Sequence, residues 1–311
     1  MADLALAAIM AIWGSTFAVV RALVGGGEAP VSPLLLVAVR MALASAPLVI
    51  WLAIRGELRF SRALWRDGLV CAALLGGGFL LQIEGQHRTT ASRSGFLTGL
   101  LVVFVPLLEL VLFGKRPSGP AAAGLALAFT GMALLSSGGS AGQAQLVGDL
   151  LTVGCAVVFA GHIIALGRVA GRHPVLPLLL VQLLGTGAMA AVAGPFVERQ
   201  HFTSDSRAFA AVGYLAVFAT LLAFGVQTWA QRRLPPVRMA LLSALEPAFA
   251  AVWAAVLIGE RLSRLELWGG ALIVLGVAVG ETGTALLTRQ RGRAAQDGRR
   301  TGFVEDGPPR C

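Results

Sequence analysis

The chain has 311 residues, of which 56% are hydrophobic and 13% charged, and a formal net charge of +9. A soluble domain is typically about 25% charged, so this composition calls for lipid as solvent and leaves no polar sequence for a water-soluble catalytic module. The basic excess would point to nucleic acid on a soluble protein. Here the arginines fall mostly between apolar runs, where anionic lipid headgroups are the partner, so no nucleic-acid partner is expected.

Apolar runs lie near 4–23, 33–54, 68–83, 95–113, 119–136, 149–167, 175–194, 208–229, 237–258 and 265–287. At roughly 20 residues per span, they predict an all-α integral membrane protein of ten transmembrane helices. The first run has neither a basic leader nor a cleavage pattern, so it reads as a retained helix. Its Trp13, Ser15 and Thr16 are candidates to line a cavity. The second run carries Arg40 near its middle. An arginine at the centre of a helix in lipid costs roughly 2.5–3.5 kcal/mol, so it must face the bundle or a wet cavity. Either it binds or gates an anion, or it pairs with a helix end or a headgroup. The third run is short and holds Gly76, Gly77 and Gly78, which permit close helix packing.

Gln82 and Gln86, and later Gln227 and Gln231, are i,i+4 pairs on single helix faces. Gln82 and Gln227 are expected inside, as polar contacts to cargo or as interhelical glue. Gln86 and Gln231 are expected near the membrane interface. The fourth run adds Thr98 and Pro106, the sixth His162, the seventh Gln182, and the ninth Ser243, Glu246 and Pro247. The two prolines are predicted helix breaks, because each lacks an N–H and clashes with the preceding turn. A carboxylate beside such a break is a candidate cation or proton site, or it caps a structural network. His162 reads as packing or as a polar cavity residue. From Thr288 the chain is polar and arginine-rich, and residues 288–311 read as a disordered basic tail.

Arginine placement sets the expected orientation. With the N-terminus in the cytoplasm, Arg55, Arg59, Arg62, Arg66, Lys115, Arg116, Arg168, Arg172, Arg232, Arg233 and Arg238 fall inside. Only Arg88, Arg93, Arg199, Arg207, Arg261 and Arg264 fall outside. Both termini are therefore expected to be cytoplasmic.

The chain also resembles itself. A shift of 145 positions aligns 79–136 with 224–281 without a gap, with 18 identities in 58 residues. The informative matches are polar or glycine: Gln82 with Gln227, Gln86 with Gln231, Gly124 with Gly269, Gly131 with Gly276. The segment PLLLV occurs at 33–37 and 177–181, and Asp3-Leu4 and Asp149-Leu150 open the first and sixth runs. Each half then has five spans. Five is odd, so the second half is expected to enter the membrane upside down, an arrangement known in secondary transporters with a site near the midplane.

AIWGSTFAVVR at 11–21, TTASRSGFLTGLLVVFVPLL at 89–108 and LLSALEPAFAAVWAAVLIGERLS at 241–263 resemble the two EamA repeats of the drug/metabolite transporter superfamily. The resemblance implies repeats over 1–137 and 148–287 and a multi-pass protein of the bacterial inner membrane. It further implies movement of a small metabolite, by export or exchange. The fourth run lacks a counterpart of Glu246-Pro247, which argues against identical roles for the halves.

Walker A, HExxH and GxSxG motifs are absent. The spacing of Cys71, Cys155 and Cys311 suggests neither a disulfide framework nor a zinc site. The expectation is a secondary transporter, not an enzyme, with no cofactor and no metal. Arg40 and Glu246 together would suit an amino-acid-like or drug-like cargo. Proton coupling and a homodimer stay open, as does the alternative of a membrane scaffold or accessory subunit without cargo.

Overall fold

The computed structural model describes residues 2–25, 29–88, 91–135, 143–203, 205–258 and 264–301. The helices are α1 (Ala2–Val24), α2 (Pro33–Ile54), α3 (Arg62–Arg88), α4 (Ala91–Gly99), α5 (Leu101–Phe113), α6 (Gly119–Leu135) and α7 (Gln143–Val169). They continue as α8 (Val175–Val197), α9 (Ser206–Tyr214), α10 (Ala223–Ala230), α11 (Pro236–Ser243), α12 (Leu245–Ile258) and α13 (Arg264–Thr301). A π-helical stretch, Leu215–Leu222, joins α9 to α10. Among the described residues, extended pairing is limited to one isolated bridge, Val31 with Phe202. Helices dominate for a physical reason: hydrocarbon offers no partner for backbone N–H and C=O groups, and a helix satisfies them within itself.

Among the described residues, seven segments are long and apolar enough to cross a membrane: Ala2–Val24, Pro33–Ile54, Arg62–Arg88, Ser94–Phe113, Leu146–Arg172, Val175–Val197 and Ser206–Ala230. Gly119–Leu134 and Leu267–Gly280 are shorter apolar helices. The molecule is thus an all-α, multi-pass membrane protein. Large apolar side chains such as Trp51, Phe196 and Trp268 stand exposed on the outside of the bundle, as a lipid-facing surface requires.

Three boundaries differ from the sequence reading. The third helix runs for 27 residues, because its glycines pack against neighbours instead of ending it. Residues 288–301 continue α13, since Ala, Arg and Gln favour helix and neither Gly292 nor Gly298 stops it. Residues 302–311 of the expected tail lie outside the described residues. The fourth and ninth runs are interrupted at Leu100 and Ala244, where α4 passes to α5 and α11 to α12. Pro106 itself lies inside α5. The break sits in the turn upstream, where the amide of Val103 bonds the Leu100 carbonyl in a tighter i→i+3 turn. Pro247 acts similarly, three residues past Ala244, where it cannot donate to the Ser243 carbonyl.

Glycine sets the closest helix crossings. A Cβ on Gly124 would lie 2.5 Å from the Gly276 carbonyl oxygen, and one on Gly131 would lie 2.5 Å from that of Gly269. As the α6 number rises the α13 number falls, so the two helices pack antiparallel. α2 and α8 do the same: Met41 meets Gly187, and the Glu198 carboxylate after α8 accepts from the Leu34 amide at the start of α2 at 2.8 Å. That acid also suits the positive end of the α2 dipole. At the other end of the bundle, His173 Nε2 lies 2.8 Å from Asp67 and Arg238 lies 3.2 Å from Asp3.

Replacing Gly124 with Ile is expected to force α6 from α13 and cost about 1–3 kcal/mol, read as a melting point several degrees lower in detergent. Gly119→Ala, whose added Cβ meets nothing within 4 Å, is the matched control. Equal melting points for the two variants would show that the crossing is not tight.

Candidate functional site

Side chains from α1, α2, α3, α4, α5, α7, α10, α11 and α12 converge on one cavity with about 740 Å³ of atom-free space. Of the residues singled out from sequence, Trp13, Arg40, Gln82, Thr98, His162, Gln227, Ser243 and Glu246 all line it. Ser15 does not. Its Oγ donates to the Ile12 carbonyl at 2.6 Å and meets the Tyr214 hydroxyl at 2.6 Å. Helical spacing explains the difference. Trp13, Thr16 and Val20 share the cavity face of α1, and Ser15 is turned toward α9.

Arg40 is 4% exposed. Its Nε donates to Thr220 Oγ1 at 2.9 Å, and its guanidinium carbon sits 4.9 Å from the Phe79 ring centroid. Among the described residues, neither terminal nitrogen has a hydrogen-bond acceptor and no carboxylate lies within ion-pair distance. A buried charge without a counter-ion is expensive.

The amides are held in defined orientations. Gln231 Nε2 donates to the Ile163 carbonyl at 2.7 Å, so its oxygen is free to accept from Gln227 Nε2 at 3.0 Å. That leaves Gln227 Oε1 buried with no partner. His162 Nε2 lies 2.9 Å from Gln182 Oε1, and Gln182 Nε2 donates to the Leu178 carbonyl. His162 thus donates from Nε2. Gln82 Nε2 reaches Thr98 Oγ1 at 3.4 Å. Gln86 and Gln231, expected near the interface, are 4% and 1% exposed. Gln231 finds its partners there, and Gln86 lines the cavity. Among the described residues, the Glu246 carboxylate has no hydrogen-bond partner.

Three aromatics missed from sequence, Phe79, Phe159 and Phe224, form the apolar wall together with Trp13. Phe79 packs edge-on to Phe159 at 5.6 Å and to Phe224 at 5.8 Å, and Phe224 meets Trp13 at 5.1 Å. Met239 completes that lining. A signal for two of them was available, since Phe79 and Phe224 open the shared Phe-x-x-Gln-x-x-x-Gln segments.

The lining follows the internal register. Phe79 and Phe224, Gln82 and Gln227, Thr98 and Ser243, and Leu101 and Glu246 are each 145 residues apart, and all line the cavity. Counted from Asp3 and Asp149, Trp13 corresponds to Phe159 and Thr16 to His162, and these too line it. The EamA-like transporter family matches residues 1–137 and 146–280, almost the whole chain. The protein belongs to this family. As an EamA-like protein it is a membrane transporter with a small-molecule substrate, and not an enzyme.

Two relatives are similar along most of their length. "Uncharacterized inner membrane transporter YedA" of Escherichia coli K12 is 29% identical over 285 residues, covering 88% of this chain and 89% of its own. "Probable amino-acid metabolite efflux pump" of Salmonella typhimurium LT2 is 29% identical over 296 residues, covering 87% and 91%. A solved structure titled "Crystal structure of protein" shares the fold, with a TM-score of 0.74 at 22% identity, covering 90% of this chain and 96% of that one.

In this EamA-like cavity the uncompensated guanidinium separates a binding role from a structural one. Arg40→Met is expected to leave thermal stability unchanged or to raise it by about 1–3 kcal/mol, while abolishing transport. A loss of stability of similar size would mark Arg40 as a structural residue.

Proposed function

We propose that this transporter exports an amino-acid-like metabolite by alternating access between two inverted five-helix halves, residues 1–137 and 148–287. Its ten spans take α4 with α5, α9 with α10, and α11 with α12 as single membrane crossings. The carrying observation is that residues equivalent in the 145-residue register line one cavity together. The antiparallel packing of α2 with α8 and of α6 with α13 supports the inversion, since each pair joins register-equivalent helices. Gly124 meets Gly276 while Gly131 meets Gly269, the reciprocal pattern of a two-fold axis. Two nearly equivalent halves can rock about such an axis, exposing the shared cavity to either side in turn.

Within the cavity Arg40 takes the carboxylate of the cargo. Glu246 takes its ammonium, or a proton moving in exchange. Gln227 Oε1 accepts a further hydrogen bond, and the aromatic wall accommodates an apolar side chain. Cytoplasmic termini agree with the arginine distribution, and export agrees with the name of the Salmonella relative, a probable amino-acid metabolite efflux pump.

Accessibility labelling tests the motion. With Cys71, Cys155 and Cys311 replaced, Thr98→Cys and Ser243→Cys are introduced one at a time. Each is expected to change its reactivity toward an impermeant maleimide when a cargo gradient is reversed. Constant reactivity at both positions under every condition would sink alternating access. Comparison of metabolites in the medium of cells with and without the protein is expected to show an amino-acid-like excess, and the absence of any reproducible difference would count against export.

A further inference from the structure

We propose that Thr220 is a positioning residue that leaves Arg40 a single end-on fork, made by its two terminal nitrogens, for a carboxylate. The proposal rests on the reading of Arg40 as the anion-binding group. A guanidinium can bind a carboxylate in two bidentate ways: side-on, through Nε and one terminal nitrogen, or end-on, through both terminal nitrogens. Here the side-on edge is blocked. Nε already donates to Thr220 Oγ1 at 2.9 Å, and the Phe79 ring covers part of the guanidinium surface at 4.9 Å.

Thr220 can serve this purpose because of the backbone beneath it. It lies in the π-helical stretch Leu215–Leu222. In such a stretch the carbonyl five residues back comes within reach. The Thr220 hydroxyl donates to the Leu215 carbonyl at 2.8 Å. Its one proton is thereby committed, and its lone pairs are left to accept from Arg40. An adjacent anchor holds the same stretch, since Trp13 Nε1 donates to the Ala219 carbonyl at 2.9 Å. Arg40 and Thr220 are both buried, at 4% and 0% exposure, so water does not compete for the bond. Stretches of π-helix occur frequently at functional sites.

The internal register supplies an independent argument. The equivalent of Arg40 by the PLLLV alignment is Leu184, and the equivalent of Thr220 in the 145-residue register is Leu75. The pair related to it by the register, Leu184 with Leu75, is leucine at both positions. The arginine and its hydroxyl partner are therefore absent together from the related positions. A hydroxyl that served only the packing of its own helix would have no reason to accompany the arginine.

The test compares matched probes that differ only in the carboxylate: leucine with leucinamide, and phenylalanine with phenylalaninamide. Protection from thermal unfolding is measured on the full chain in proteoliposomes. For the wild type, each acid is expected to half-protect at a concentration at least about tenfold below its amide, the scale of a charge-assisted hydrogen-bond pair. Thr220→Val removes the hydroxyl at constant shape and is expected to narrow that ratio to about threefold or less, whereas Thr220→Ser keeps it. Should Thr220→Val fail to fold, Thr220→Cys, with its weak sulfur acceptor, is read in its place. A Val or Cys variant that retains the wild-type ratio overturns the proposal and leaves the anion role of Arg40 standing. A wild type that binds acid and amide equally, or neither, overturns the anion role itself and this proposal with it.

Discussion

Hydrocarbon offers neither a hydrogen-bond partner nor a counter-ion, and almost every feature of this molecule answers to that constraint. Backbone groups are satisfied by helices. Polar side chains are turned inward, where they must find partners among a limited set of neighbours. The tryptophan, threonine, glutamine and histidine side chains of the core do so in short chains: Trp13 to Ala219, Thr220 to Leu215, Gln227 through Gln231 to Ile163, His162 through Gln182 to Leu178. What is left over after these bonds is informative. Among the described cavity residues, the terminal nitrogens of Arg40, Gln227 Oε1 and the Glu246 carboxylate have no protein partner.

The cavity is matched in its neutral residues and unmatched in its charges. Aromatic faces aromatic, glutamine corresponds to glutamine, and Thr98 corresponds to Ser243. Arg40 corresponds to Leu184 and Glu246 to Leu101. Under the proposed alternating access, matched walls would let the two halves exchange roles without a large difference in packing energy, and the unmatched charges would orient the proposed amino-acid-like cargo. The same division appears in the helix contacts. The glycine crossing of α6 with α13 is reciprocal and uncharged, whereas Asp67 with His173 and Glu198 with the α2 N-terminus are one-sided links at the bundle ends.

The breaks in the fourth and ninth segments show how a local rule and a global one combine. Proline alone would put them at positions 141 residues apart. They occur instead at Leu100 and Ala244, 144 apart, close to the register of the repeat. Position is thus shared between the proline, which weakens the preceding turns, and the packing of each segment against α1 or α7. Gly99 is pressed by Met132 and Pro247, and Gly14 by Ala250 and the Glu246 carbonyl, so these contacts hold the broken segments in place.

Sequence by itself determined a membrane protein, its apolar segments, its internal register and its family. Each of these follows from composition or from order along the chain, and neither depends on how distant segments meet. It also named nine of the residues that line the cavity, because a polar residue in an apolar run has few places to go. Tertiary structure decided the rest. Ser15 and Thr16 are neighbours in sequence, and only the rotation of α1 against α9 sends one to Tyr214 and the other to the cavity. Phe79, Phe159 and Phe224 are unremarkable among other apolar residues until three helices bring their rings together. Gln86 and Gln231 looked interfacial from their distance to the segment ends, and packing buried them. Above all, nothing local marks Thr220 as the partner of Arg40. The two are 180 residues apart, and their meeting depends on a π-helical register that no periodicity in the apolar run discloses.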